Sequence, residues 1–134
     1  MNKDFETRDK IIFGKYDPEK YWGGIRQFTC SADTIRELSK QGFIEDDECQ
    51  NWSPSTRDFL DFIDGAEDKI VAEFECYAVS PDRNDYRVTI EGINLTIPDG
   101  EFDLFVLAIG NFRGADEFTI EHADGEYYIG AWWD

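Results

Sequence analysis

The side chains best supplied for chemistry in this sequence are carboxylates. Thirty Asp and Glu stand against thirteen Lys and Arg and a single His, for a formal net charge of −17 over 134 residues. The charge is uneven. Residues 1–40 hold eight bases and seven acids, residues 41–68 nine acids and one base, and residues 69–134 fourteen acids and four bases. Such a field repels nucleic acid and anionic membrane surfaces and draws cationic partners. A solvated face that keeps the protein soluble is the competing explanation.

Paired carboxylates can run acid–base hydrolysis, and with so many acids some pairs must meet. Nothing in their spacing marks one pair out. His122 is the only histidine, in an alternating stretch with no nucleophile nearby in sequence, so it reads as structural. Cys30, Cys49 and Cys76 are an odd number without a CxxC spacing, which argues against a disulfide framework and against zinc. Cys76 falls on an apolar face and Cys49 among acids, and both settings oppose a thiolate. No EF-hand, P-loop, GxGxxG or GxSxG pattern occurs. No cofactor and no metal is expected, and an enzyme is the lesser reading.

Binding is better supplied. Glu45, Asp46, Asp47 and Glu48 form one acidic run, and Asp58, Asp61 and Asp64 recur on one side of a helical segment. Tyr128 and Trp132 share a strand face with Glu117, Thr119 and Glu121. Left uncovered, they would be aromatic anchors ringed by carboxylates, which suits a basic protein. The turn Asp82-Arg83-Asn84-Asp85, with Arg87, is a weaker recognition candidate, because Arg87 and Tyr77 can simply stack across strands.

These groups need elements to hold them. Residues 69–93, KIVAEFECYAVSPDRNDYRVTIEGI, alternate as two strands around a polar, Pro-containing turn. A five-residue loop, Ser80 to Asn84, sets Cys76 opposite Val88 and Phe74 opposite Ile90. One face then collects Phe74, Cys76, Ala78, Val88 and Ile90, and the other Glu73, Glu75, Tyr77, Thr89 and Glu91. Before this hairpin, Ser31 reads as the cap of a helix ending at Gly42, with Phe43 folding back. Ser53-Pro54 reads as the start of a second helix, with Phe59, Leu60, Phe62 and Ile63 inward, stopped by Gly65. After it, FDLFVLAI at 102–109 is nearly continuous apolar sequence, as in a central strand. Asp124-Gly125 marks a two-residue turn that sets Ile120 against Ile129, Phe118 against Ala131 and His122 against Tyr127. Ile25 to Cys30 reads as a strand, and residues 1–20 as an edge strand or ordered arm.

The expectation is a single α+β domain over 1–134, with an N-terminal helical hairpin packed on a mainly antiparallel meander of about five strands. The first residues, MNKDFETRDK, lack the apolar segment of a secretory signal, and no apolar run is long enough to span a membrane, so a cytoplasmic protein is expected. The leading function is a small acidic binding protein for a basic protein partner, such as an inhibitor or immunity-type protein. A DNA-mimicking inhibitor is a narrower variant. A carboxylate-dependent hydrolase and a homodimer or other homo-oligomer built on an uncovered sheet face are the alternatives.

Overall fold

A computed structural model describes all of residues 1–134. It contains helices α1 (Phe5–Phe13), α2 (Ala32–Lys40), α3 (Thr56–Gly65) and α4 (Phe102–Phe112). Strands β1 (Ile25–Cys30), β2 (Val71–Val79), β3 (Val88–Pro98), β4 (Glu117–Ala123) and β5 (Glu126–Trp132) form one antiparallel sheet. The α+β class and the five-strand antiparallel sheet agree with the sequence reading.

The strand order is β1-β2-β3-β5-β4. Three strands follow one another, and the β4–β5 hairpin then enters with its second strand against β3. One expected strand is corrected: residues 102–109 are α4, and β1 supplies the fifth strand. A continuous apolar run fits a buried helix as well as a buried strand. Here Ala108 and Phe112 are buried, and Phe105 stacks on Tyr127 at 3.9 Å between ring centroids.

The two helices expected at 31–65 are present. Ser31 accepts from the Thr34 amide, and three buried residues, Ala32, Ile35 and Leu38, form the inward stripe of α2. Gly42 is left-handed, and the Phe43 amide donates to the Leu38 carbonyl at 2.9 Å, so Phe43 folds back into the core. The cap of α3 is Ser55, which accepts from the Asp58 amide, rather than Ser53. Ser53 instead accepts from the Gln50 amide at 2.9 Å and so belongs to the preceding loop.

The 69–93 hairpin keeps its two faces but not its register. Ala78 pairs with Val88 and Cys76 with Ile90; then a bulge at Glu91 shifts the pairing, so that Glu75 meets Gly92 and Phe74 meets Ile93. The connection is Ser80–Arg87 rather than five residues, and β3 runs on to Pro98. The C-terminal hairpin matches expectation pair for pair: Ile120–Ile129, Phe118–Ala131 and His122–Tyr127. Asp124 and Gly125 have φ of 54° and 79°, the two left-handed residues of a type I′ turn.

The core lies between one sheet face and the helices. Phe59 is its hub, meeting Phe74, Phe112 and Trp133 at 5.6–5.7 Å. Each such fully buried ring contributes about 1.5–3 kcal/mol over exposure. Residues 5–13 are helical, which overturns the edge-strand reading: Asp4 caps α1, and Phe13 meets Phe28 edge-on at 5.5 Å.

Candidate functional site

The sheet face away from the helices carries Gln27 and Thr29 on β1, Glu73 and Glu75 on β2, Glu91, Asn94 and Thr96 on β3, Tyr128 and Trp132 on β5, and Glu117, Thr119 and Glu121 on β4. No helix lies over it. It is covered at one end only, where the 45–55 loop brings Gln50 to the Tyr77 hydroxyl at 2.9 Å and Glu48 to Thr89 at 3.1 Å. No Lys or Arg stands among the outward residues of β2, β3, β4 and β5 between Gly92 and the turn at 124–125. Tyr128 and Trp132 lie on this face beside the carboxylates, each half-buried.

The geometry of this face rests on two glycines. A Cβ on Gly92 would lie 2.7 Å from Glu75 Oε2 and 3.2 Å from Trp132 Cδ1, so the Glu75 carboxylate and the Trp132 indole close together over bare backbone. A Cβ on Gly130 would lie 2.8 Å from Thr119 Oγ1. Around Gly130, a cleft of about 150 Å³ opens between Glu75, Asn94, Glu117 and Trp132. A larger depression of about 420 Å³ continues past Thr119 and Glu121 to Tyr128. Along β5, Tyr128 and Trp132 are four residues apart, about 13 Å of extended chain.

The electrostatics match the composition. Glu91 is held above the usual glutamate range, first by burial and then by repulsion from Glu75, with a partial offset from the Gln27 amide. The Tyr128 phenol is pushed up by desolvation and then by Glu126, Asp124 and Glu121. Both shifts mark a face with negative charge and no resident cation.

The acidic residues of the helical layer fare differently. Glu45 lies 3.9 Å from the N-terminal ammonium, Asp46 pairs with Arg57, Glu48 with Arg87, and Asp64 with Arg36 at 2.6 Å. The block expected over 45–64 is thus partly neutralised within the chain. Asp47, Asp58 and Asp61 are in no ion pair, and all three are exposed. Asp58 and Asp61 line a groove of about 530 Å³ between the 52–54 loop, α3 and α4, whose other walls include Trp52, Leu107 and Trp133. The structure brings Asp58 and Asp61 together and leaves Tyr128 and Trp132 on the opposite side of the sheet.

The arginines of the turn are already engaged within the chain. Arg83 grips both oxygens of Asp85, at 2.9 and 2.7 Å, and Arg87 reaches Asp85, Thr89 and the Tyr77 hydroxyl. Arg83, then Arg87, hold the Asp85 carboxyl below its ordinary range. His122 stacks on Tyr127 at 4.3 Å and lies 2.6 Å from Asp99. No group of three or more His, Cys, Asp or Glu is placed to hold a metal ion.

One polar cluster escaped the sequence reading. Arg8 and Asp9 on α1 are both fully buried. Arg8 Nε donates to Asp9 at 2.8 Å, one terminal nitrogen donates to the Val79 carbonyl at 2.9 Å, and the other to the Tyr21 hydroxyl at 2.7 Å. The Tyr21 hydroxyl in turn donates to the second Asp9 oxygen, and Tyr86 covers the guanidinium at 4.6 Å. Burial, then the bond to Asp9, raises the Tyr21 phenol far above its ordinary value. Each guanidinium nitrogen has a partner, and the contacts fasten α1 to the end of β2. Adjacent opposite charges near a terminus give no sign of burial; only the two tyrosines hinted at partners.

No helix is long and apolar enough to cross a membrane. A scan against protein-family models, a search of curated proteins and a search of solved structures each found no match.

Proposed function

We propose that this is an acidic binding protein that engages a basic protein partner through the open face of its sheet. One observation carries the proposal: the half-buried rings of Trp132 and Tyr128 share a sheet face that no helix covers with Glu73, Glu75, Glu91, Glu117 and Glu121. A lysine or arginine entering the cleft beside Gly130 would meet an aromatic ring and carboxylates on both sides, combining cation–π and ionic attraction. Within this class, the narrower reading is an inhibitor- or immunity-type protein that covers the working surface of a basic toxin or nuclease. It draws its support from the charge profile.

The test is a titration against basic and neutral proteins of similar size at about 0.05 M and about 0.5 M salt, over which the screening length falls to a few ångströms. Selective binding of basic proteins that weakens with salt is expected, with a Trp132→Ala loss of about tenfold or more. Binding that ignores salt, or that Trp132→Ala leaves intact, would sink the sheet-face reading.

A further inference from the structure

The groove on the opposite, helical side differs from the sheet face because it is apolar as well as acidic. Helix α4 reads FDLFVLAIGNF, apolar on every side and without a single base. A helix of that composition is normally enclosed. This one buries Ala108 and Phe112 but leaves Phe102, Val106 and Leu107 about half exposed, at 54%, 51% and 51%. Phe102 and Val106 lie one turn apart on a different side of α4, outside the groove, and Leu107 and Asn111 are what α4 gives to its wall. Across the groove from Leu107 stands Trp52, 96% exposed. Asp58 and Asp61, one turn apart on α3, line the same groove, and none of its lining residues is basic.

From these observations we infer that the groove seats an amphipathic basic helix of a protein partner. The apolar ridge of the incoming helix packs between Leu107 and Trp52, in the manner of helix-in-groove recognition. Its cationic side chains point toward Asp58 and Asp61. A second copy of this chain is a poor occupant: it would set like charge against like charge around the groove and add a net −17 to a net −17. The inference is independent of the sheet-face proposal, since the two surfaces lie on opposite sides of the sheet.

The probe is a synthetic peptide of about fourteen residues, four turns of helix, with leucines at i, i+3, i+4 and i+7 and lysines elsewhere. A scrambled peptide of identical composition serves as its partner control. Backbone amide shifts in the full chain report the site. The ordered peptide is expected to shift residues of the 50–54 loop, α3 and α4, and to bind at least about tenfold tighter than the scrambled one. Trp52→Ala should cost about tenfold without altering the fold, because that side chain is almost wholly in solvent. Asp58→Asn with Asp61→Asn should weaken binding and flatten its salt dependence, whereas Trp132→Ala should leave it unchanged. Equal affinity for both peptides, shifts confined to the sheet face, or a dimer in sedimentation that protects α4 would each overturn the inference. The first two outcomes leave the sheet-face reading standing.

Discussion

Replacing Asp9 by asparagine tests the reasoning behind the one fully buried ion pair. The substitution keeps the shape of the side chain and removes its charge. Arg8 is then a guanidinium with no solvent exposure and no counter-charge, held by the Val79 carbonyl, Tyr21 and a neutral amide. Removing one partner of a buried pair costs about 3–5 kcal/mol, because the other charge is stranded. A domain of this kind has only about 5–15 kcal/mol in total, so the variant should lose about a fifth or more of its stability. At about 3–5 °C per kcal/mol for a chain of this length, the melting temperature should fall by roughly 10–25 °C. Urea unfolding followed by far-ultraviolet circular dichroism gives the free energy directly. The double variant Arg8→Met, Asp9→Leu removes both charges and should recover most of the loss. A loss below about 1 kcal/mol for Asp9→Asn would refute the argument, since it would mean that water reaches Arg8.

Two further outcomes follow from the titrating groups. Glu91 has its folded pKa raised by burial and then by Glu75. It therefore binds its proton more tightly in the folded state, and its ionisation costs stability as pH rises from the unfolded value through the folded one. Glu91→Gln should raise the melting temperature at pH about 7 and leave it unchanged below about pH 4, where the residue is protonated in both states; equal stabilisation at both pH values would contradict the assignment. Cys49 is exposed, while the Cys76 thiol is buried and held well above its ordinary value by its contact with Cys30 and then by burial. Mass spectrometry of timed iodoacetamide labelling should find Cys49 modified first and Cys76 only on unfolding. Native-state labelling of Cys76 at the rate of Cys49 would contradict the packing.

What was legible in the sequence was legible for local reasons. Asp124-Gly125 fixes its own turn, and the alternation on either side fixes the pairing, so Ile120–Ile129 and His122–Tyr127 could be written down in advance. The two faces of the 69–93 hairpin could be sorted for the same reason. Its register could not, because the bulge at Glu91 and the role of Tyr86 as a cover for Arg8 are set by distant parts of the chain. The run at 102–109 carries apolar residues on all sides of a helix, which erases the period that tells helix from strand. On the functional side, the facing of Tyr128 and Trp132 was legible, but which acids are free was not. Arg36, Arg57 and Arg87 neutralise Asp64, Asp46 and Glu48 from other segments. Trp52 drew no notice in the sequence, since a lone tryptophan in a loop gives no sign of its exposure.

The position of β5 between β3 and β4 has a consequence for how the sheet is completed. The β4–β5 hairpin is held by contacts close in sequence and can form early, on a timescale of microseconds. The stretch of β3 it must cover, Gly92 to Pro98, includes Ile93, Leu95 and Ile97. Until the hairpin docks, that stretch is an open apolar strand edge, a template for pairing with another chain. Docking then moves the free edge outward to β4, where Glu117, Thr119 and Glu121 alternate with Phe118 and Ile120. In the folded chain the hairpin thus covers the apolar edge of β3, and this long-range pairing is the contact on which closure of that edge depends.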